Sequence, residues 1–203
     1  MPCRGAPLEH STAHTQPIVL VGGKSRRFGR DKLREHLSPT LDEGNGNLLV
    51  QRPIAALRAV FGSRVKLVGA CHESLVNKAD GTFFDRFPSI GPLGGILSAL
   101  DVCAGDVFVL AGDMPNISPQ SIVQILSRAI EEPAAIAVLA TTQRLHPCVG
   151  LYRATARPAL AAMVEQRQFS LQRGLATSNI ATVALDAREL VNINHAEDLA
   201  LAE

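Results

Sequence analysis

Nowhere in its 203 residues does the chain carry an apolar run near the roughly 18 residues that a membrane-spanning helix needs. The first sixteen residues also lack the apolar centre of a secretory signal. Their Pro, His, Ser and Thr content reads as a flexible arm, which leaves 17–203 as one domain. Cysteine is sparse. Cys3, Cys71, Cys103 and Cys148 are scattered with no CxxC spacing, which argues against a zinc site or a disulfide framework and fits reduced thiols in the cytoplasm. Cys103 and Cys148 lie in apolar settings and read as small core residues, and no Cys–His arrangement suggests a nucleophile. Formal net charge is +1, so no global field draws the chain to nucleic acid or to a membrane surface. A Walker A loop, GxxxxGK[ST], does not occur, and neither does the dinucleotide fingerprint GxGxxG. There is no internal repeat and no low-complexity tract.

What is present is a chain able to bury a core. Hydrophobic residues make up 46% and charged residues 19%, which excludes global disorder. Short apolar runs at 18–21, 64–70, 107–111, 134–140 and 181–185 read as strands. The run at 107–111 is continuous and rich in β-branched residues, as expected for a central strand covered on both faces. Helical spacing at 48–61, 117–130 and 154–166 alternates with them, with a short helix expected at 169–175. The alternation predicts an α/β fold: a three-layer α/β/α sandwich on a mostly parallel sheet, Rossmann-like, with ligand at the carboxyl ends of the strands. Residues 38–47 are rich in turn formers and read as a loop.

The most informative stretch runs from Ile18 to Lys32, IVLVGGKSRRFGRDK. A strand ends at Gly22 and Gly23, where glycine allows a tight turn and close approach of backbone N–H groups to a ligand. Lys24, Ser25, Arg26, Arg27, Gly29, Arg30 and Lys32 follow within ten residues. Backbone amides cradle phosphate oxygens, Arg forks onto them, and Lys acts as a point charge. A triphosphate is the ligand such a loop suits; a merely basic surface loop is the competing reading.

Three further elements bear on chemistry. Gly91-Pro92 opens a helix whose first turn, with Gly94 and Gly95, either admits a ligand at the helix N-terminus or packs tightly on a strand. Asp113 lies just beyond the central strand, where a carboxylate can hold Mg²⁺ or can cap the next helix; Ser118 before Pro119 is the better cap and frees Asp113 for metal. His146 stands before Pro147 and beside Arg144, either as a structural histidine or as a contact to a substrate phosphate. Arg167 and Arg173 flank the short helix at 169–175 and could meet anionic groups or form a solvated basic face. Near the end, Asn194 can cap the last helix, with Glu197 completing a box.

These motifs resemble the molybdenum cofactor guanylyltransferase family, within the sugar-nucleotide pyrophosphorylase superfamily. Its opening signature LxGGxSxRMGxDK reads LVGGKSRRFGRDK here, with Phe28 for Met. GPLGG at 91–95, GDMP at 112–115, HPxxxLYR at 146–153 and an NIN-EDL ending follow in the family's order. The resemblance implies transfer of GMP from GTP, with Mg²⁺, to the phosphate of molybdopterin or molybdenum cofactor, and transient contact with other cofactor-biosynthesis proteins. It implies that Arg26, Arg27 and Lys32 hold the triphosphate and that Asp113 binds the metal. Leu20, Gly22, Gly23, Ser25, Gly29, Asp85, Gly91, Pro92, Gly94, His146, Asn192 and Asn194 would line the substrates. Asp85 would sit near the guanine or ribose. One departure stands out: the family often has a base-reading Asn after the second strand, and Gly69-Ala70-Cys71 stand there. GTP is expected over CTP because the opening is LVGG, whereas CTP-using relatives tend to LAAG. The alternatives are a related transferase using CTP or another phosphorylated acceptor, and a non-catalytic nucleotide-binding protein.

Overall fold

The computed structural model describes residues 12–22, 28, 30–37 and 48–202. The loop expected at 38–47 lies outside them, as do Gly23, Lys24, Ser25, Arg26, Arg27 and Gly29.

Seven strands form one sheet in the order β3-β2-β1-β4-β6-β5-β7. They are β1 (Thr15–Leu20), β2 (Lys66–Val68), β3 (Thr82–Phe83), β4 (Asp106–Ala111), β5 (Ala137–Thr141), β6 (Leu145–Tyr152) and β7 (Ile180–Ala184). Every pairing is parallel except the two made by β6, which runs antiparallel to both β4 and β5. The expected mostly parallel sheet is therefore present, with one reversed strand inserted beside the centre. The short 141–145 connection sets that reversal, because so few residues cannot carry a parallel crossover. The reversal brings the start of β6 to the end of the sheet where the other strands finish.

The helices α1 (Gln51–Phe61), α2 (Glu73–Val76), α3 (Pro92–Val102), α4 (Pro119–Glu131), α5 (Arg157–Glu165) and α6 (Leu171–Gly174) complete the layers. Alternation along the strands divides the core in two. Val19, Phe108 and Leu110 pack with Ile54 and Leu57 of α1 and Ile122 and Leu126 of α4. Ile18, Val107 and Val109 pack with Leu93 and Ile96 of α3 and Leu160 of α5. Both faces of β1 and β4 are thus covered, which is why those strands read as unbroken apolar runs.

The boundary expected at residue 16 falls too late. Thr15 and Gln16 belong to β1, in register with Asp106 and Val107, and Thr15 is 2% exposed. Arg64 also donates to the carbonyls of Thr12 and Ala13. A polar TQ pair hid a strand whose pairing partner lies ninety residues away. Residues 1–11 of the expected arm lie outside the described residues.

The last helical element is also shifted. It is a 3₁₀ turn at Ala196–Leu201 whose N-cap is His195, not Asn194. Asp198, not Glu197, closes it, accepting at 2.8 Å from the backbone N–H groups of both Asn194 and His195.

Candidate active site

The carboxyl ends of β1 and β4 are adjacent and stay joined beyond the strands, Gly112 N–H donating to the Leu20 carbonyl at 2.9 Å. A residue following β4 is therefore delivered next to the turn following β1. Asp113 is that residue. The 3₁₀ turn Lys32–Arg34, capped by the Asp31 side chain on Leu33 N–H and anchored by buried Leu33, brings Lys32 back over the same spot. Lys32 Nζ donates to Asp113 Oδ2 at 2.5 Å, to the Ile193 carbonyl at 2.8 Å and to Asn194 Oδ1 at 3.2 Å. Ile193 N–H in turn donates to the Asp113 carbonyl at 2.9 Å. Both charged side chains are mostly buried, at 15% and 18% exposed. Three segments far apart in the chain thus meet on one ion pair, and Asn194 touches Lys32 instead of capping a helix.

Asp113 is free for this because Ser118 caps α4, as the sequence predicts, accepting from Ser121 N–H at 3.2 Å. The second carboxylate oxygen, Oδ1, is buried and has no hydrogen-bond partner among the described residues. A desolvated carboxylate oxygen without a donor suits a hard divalent cation. Among the described residues no group of three or more His, Cys, Asp or Glu could cage a metal. A single, mostly buried carboxylate is compatible with Mg²⁺, which commonly takes one or two carboxylates and completes its shell with water and substrate phosphate.

Around this pair the predicted residues take distinct places. Gly22 lies against Gly69, the last turn of β1 meeting that of β2 backbone to backbone. A Cβ on Gly69 would stand 2.7 Å from Gly22 N and 2.8 Å from Gly22 Cα, and Gly69 has φ +109°. No side chain fits at that position, so no amide from residue 69 reaches a base. The Leu20 side chain packs under α3, where a Cβ on Gly95 would meet its Cδ2 at 2.9 Å. Gly94 gives its N–H to the Gly91 carbonyl, and a Cβ there would collide with the Phe87 carbonyl. Packing thus accounts for both glycines of the helix. Gly91, at φ 74°, is the N-cap of α3 with Pro92 in its first turn, and both are exposed. Gly23, Ser25, Arg26, Arg27 and Gly29 are outside the described residues. Arg30, on the same basic stretch, pairs with Glu35 through both carboxylate oxygens.

Asp85 follows β3 at the same end of the sheet. Its Oδ1 accepts from Phe87 N–H at 2.9 Å and from the Ser98 hydroxyl at 3.3 Å. His146 is the second residue of β6, its Nε2 3.1 Å from Thr142 Oγ1. Burial first, then the Arg144 cation, pushes its pKa below the ordinary histidine value. Beside it, Gln172 of α6 donates to the Leu145 carbonyl, so exposed Arg173 stands at the rim of the same end. The rest of HPxxxLYR is structural: Tyr152 is fully buried and donates to the Pro147 carbonyl, and Arg153 donates to the carbonyls of Ala129 and Ala135. Asn192 joins the site through its carbonyl, which faces the Asn194 amide at 3.4 Å.

Sequence reasoning missed two residues. Cys148 sits close enough to Asp113 to feel its charge; burial and that carboxylate push its thiol up to about 12, so it is an inert wall. Ser98 is fully buried in α3 yet holds Asp85. Neither has a local signal; each is identified by a contact across the fold.

Comparison with known proteins accords with this geometry. Residues 17–181 match the MobA-like NTP transferase domain. A probable molybdenum cofactor guanylyltransferase of Pyrococcus horikoshii is 30% identical over 89% of this chain and 95% of its own. One from Rhodopirellula baltica is 28% identical over 90% and 88%. The crystal structure of molybdopterin-guanine dinucleotide biosynthesis protein A from Archaeoglobus fulgidus shares the fold, with a TM-score of 0.72 at 23% identity over 92% of this chain and 96% of that one. With Lys32 and Asp113 joined at the carboxyl ends of β1 and β4, the chain belongs to the MobA-like NTP transferase domain family, among its molybdenum cofactor guanylyltransferases, and is a nucleotidyltransferase.

Proposed function

We propose that this chain transfers GMP from GTP to the terminal phosphate of molybdopterin, metal-loaded or not, forming molybdopterin guanine dinucleotide and pyrophosphate. The observation that carries the reading is the buried Lys32–Asp113 pair, where a cation for phosphate and a carboxylate for metal are held side by side. An oxygen of the pterin phosphate attacks the α-phosphorus, a new P–O bond forms, and the bond to the β-phosphate oxygen breaks. The attacking phosphate is already ionised near neutral pH, so no protein base is needed. Catalysis is positioning plus neutralisation of charge on the leaving pyrophosphate. Lys32 supplies one positive charge there, and the resemblance gives Arg26 and Arg27 the same task. Asp113 would hold Mg²⁺ through Oδ1, and the cation would supply further charge neutralisation on the phosphates. The exposed backbone at Gly22 and Gly91-Pro92 supports a bed for base and ribose. Arg173 and the half-buried His146 at the start of β6 support a place for the acceptor. The pterin product is consumed elsewhere, so transient contact with other cofactor-biosynthesis proteins in the cytoplasm accompanies the reading. No helix among the described residues is long and apolar enough to cross a membrane.

Calorimetry with GTP, CTP, ATP and UTP, with and without Mg²⁺, tests it, followed by transfer assays on Asp113→Asn. GTP binding strengthened by Mg²⁺, with a folded Asp113→Asn chain that has lost transfer, is expected. Preference for CTP would overturn the choice of base, for which the bare Gly22–Gly69 contact leaves no side-chain amide at residue 69. Normal turnover by Asp113→Asn would remove Asp113 from the metal role.

A further inference from the structure

We infer that Ser98 is a positioning residue that sets the carboxylate of Asp85 for the donor-bearing part of the nucleotide. The inference rests on Asp85 being a nucleotide contact. Ser98 lies in α3 among Leu93, Ile96, Leu97 and Leu100, and it is 0% exposed. A hydroxyl so placed must be satisfied internally. Its oxygen accepts from Arg86 N–H at 2.9 Å and its hydrogen goes to Asp85 Oδ1 at 3.3 Å. Phe87 N–H reaches the same Oδ1 at 2.9 Å. Two donors converging on one oxygen fix the plane of the carboxylate. They leave Oδ2 with no hydrogen bond to any described residue.

The side chain that could neutralise Asp85 is turned away. Arg86 Nη1 lies 3.0 Å from Asp101 Oδ2, and Asp101 also takes Arg157 at 2.5 Å. Asp85 thus has no ion-pair partner among the described residues and one oxygen left open at the carboxyl end of the sheet. A carboxylate repels triphosphate and accepts hydrogen bonds. Its partner must be a donor, and in a purine nucleotide the donors are the base edge and the ribose hydroxyls. Ser98, two turns inside the helix, helps to turn one oxygen inward and so aims the other outward. Without it Phe87 N–H alone holds the carboxylate, which is then less firmly oriented.

Steady-state transfer over a range of GTP concentrations tests this, with melting temperatures measured alongside. Asp85→Ala should raise KM for GTP with kcat little changed. Ser98→Ala should raise KM about fivefold, because the carboxylate is held less firmly and the effect on the nucleotide is indirect, again with kcat little changed. Ser98→Cys keeps the volume and replaces the hydroxyl with a weak donor, so it should raise KM while keeping the melting temperature. In the Asp85→Ala background, adding Ser98→Ala should raise KM no further. If Asp85→Ala raises KM and neither Ser98 variant does, Ser98 is only a stitch between helix and loop and the inference is overturned, while the reading of Asp85 stands. If the Ser98 effect persists undiminished without Asp85, it does not act through that carboxylate and the inference is likewise overturned. If Asp85→Ala leaves KM unchanged, the reading of Asp85 itself fails and takes the inference with it.

Discussion

At the scale of single residues, burial sorts the candidates more sharply than residue type does. His146 is a cation-capable side chain, yet partial burial and Arg144 hold its pKa below the usual histidine value near 6.5. The unfolded chain therefore takes up the proton first. The associated stability is present above the ordinary value and is lost as pH falls through it toward the folded value. Denaturation at pH 7 and at pH 5.5 should show a loss that His146→Gln reduces, and the ring resonances should titrate below 6.5. Gly69 makes the complementary case. Its positive φ and its contact with the Gly22 backbone leave no room for a methyl group. Gly69→Ala should destabilise the chain by about 2 kcal/mol or more, read from denaturant midpoints, without any lost ligand contact. The glycine at the head of the Gly69-Ala70-Cys71 turn is thus fixed by packing.

At the scale of elements, helix ends organise the functional face. α4 begins at Ser118 with Pro119 in its first turn, and Glu189, from the segment after β7, accepts from Ser118 N–H at 2.8 Å and Ser121 Oγ at 2.7 Å. A carboxylate at a helix N-terminus satisfies orphan N–H groups and complements the macrodipole. Glu189→Ala should cost about 1–2 kcal/mol and lower the melting temperature by several degrees, visible by calorimetry. Because the same segment continues into Asn192-Ile193-Asn194, this anchor also fixes where the tail meets Lys32. The Ser118 cap was legible locally, from a Ser before Pro. The Glu189 cap was not, since the partners are about seventy residues apart.

At the scale of the whole molecule, the site exists only because β1, β4 and the tail converge. Lys32 Nζ donates to Asp113 Oδ2, so its ammonium charge opposes a cation arriving at that carboxylate. Mg²⁺ alone should bind weakly, and triphosphate should strengthen its binding by drawing Lys32 toward phosphate. Lys32→Ala should bind Mg²⁺ without nucleotide at least about tenfold more tightly, because a unit charge at contact has gone, while its affinity for GTP falls. Paired calorimetric titrations read both changes, and equal Mg²⁺ affinity in the two proteins would contradict the arrangement.

The alternation of apolar runs and helical spacing, by itself, determined the α/β class, since covered strands must be continuously apolar and surface helices must be striped. Lys32 after the glycine turn and Asp113 beyond the central strand stood out by residue type, and both fall at the carboxyl ends of β1 and β4, where they pair. Tertiary structure alone decided the rest. It reversed β6, drew Thr15 and Gln16 into the sheet, used Gly94 for packing, and moved Asn194 from a cap to Lys32. It also placed a buried serine behind Asp85. Each of those depends on a contact between residues distant in the chain, and no local pattern encodes the partner.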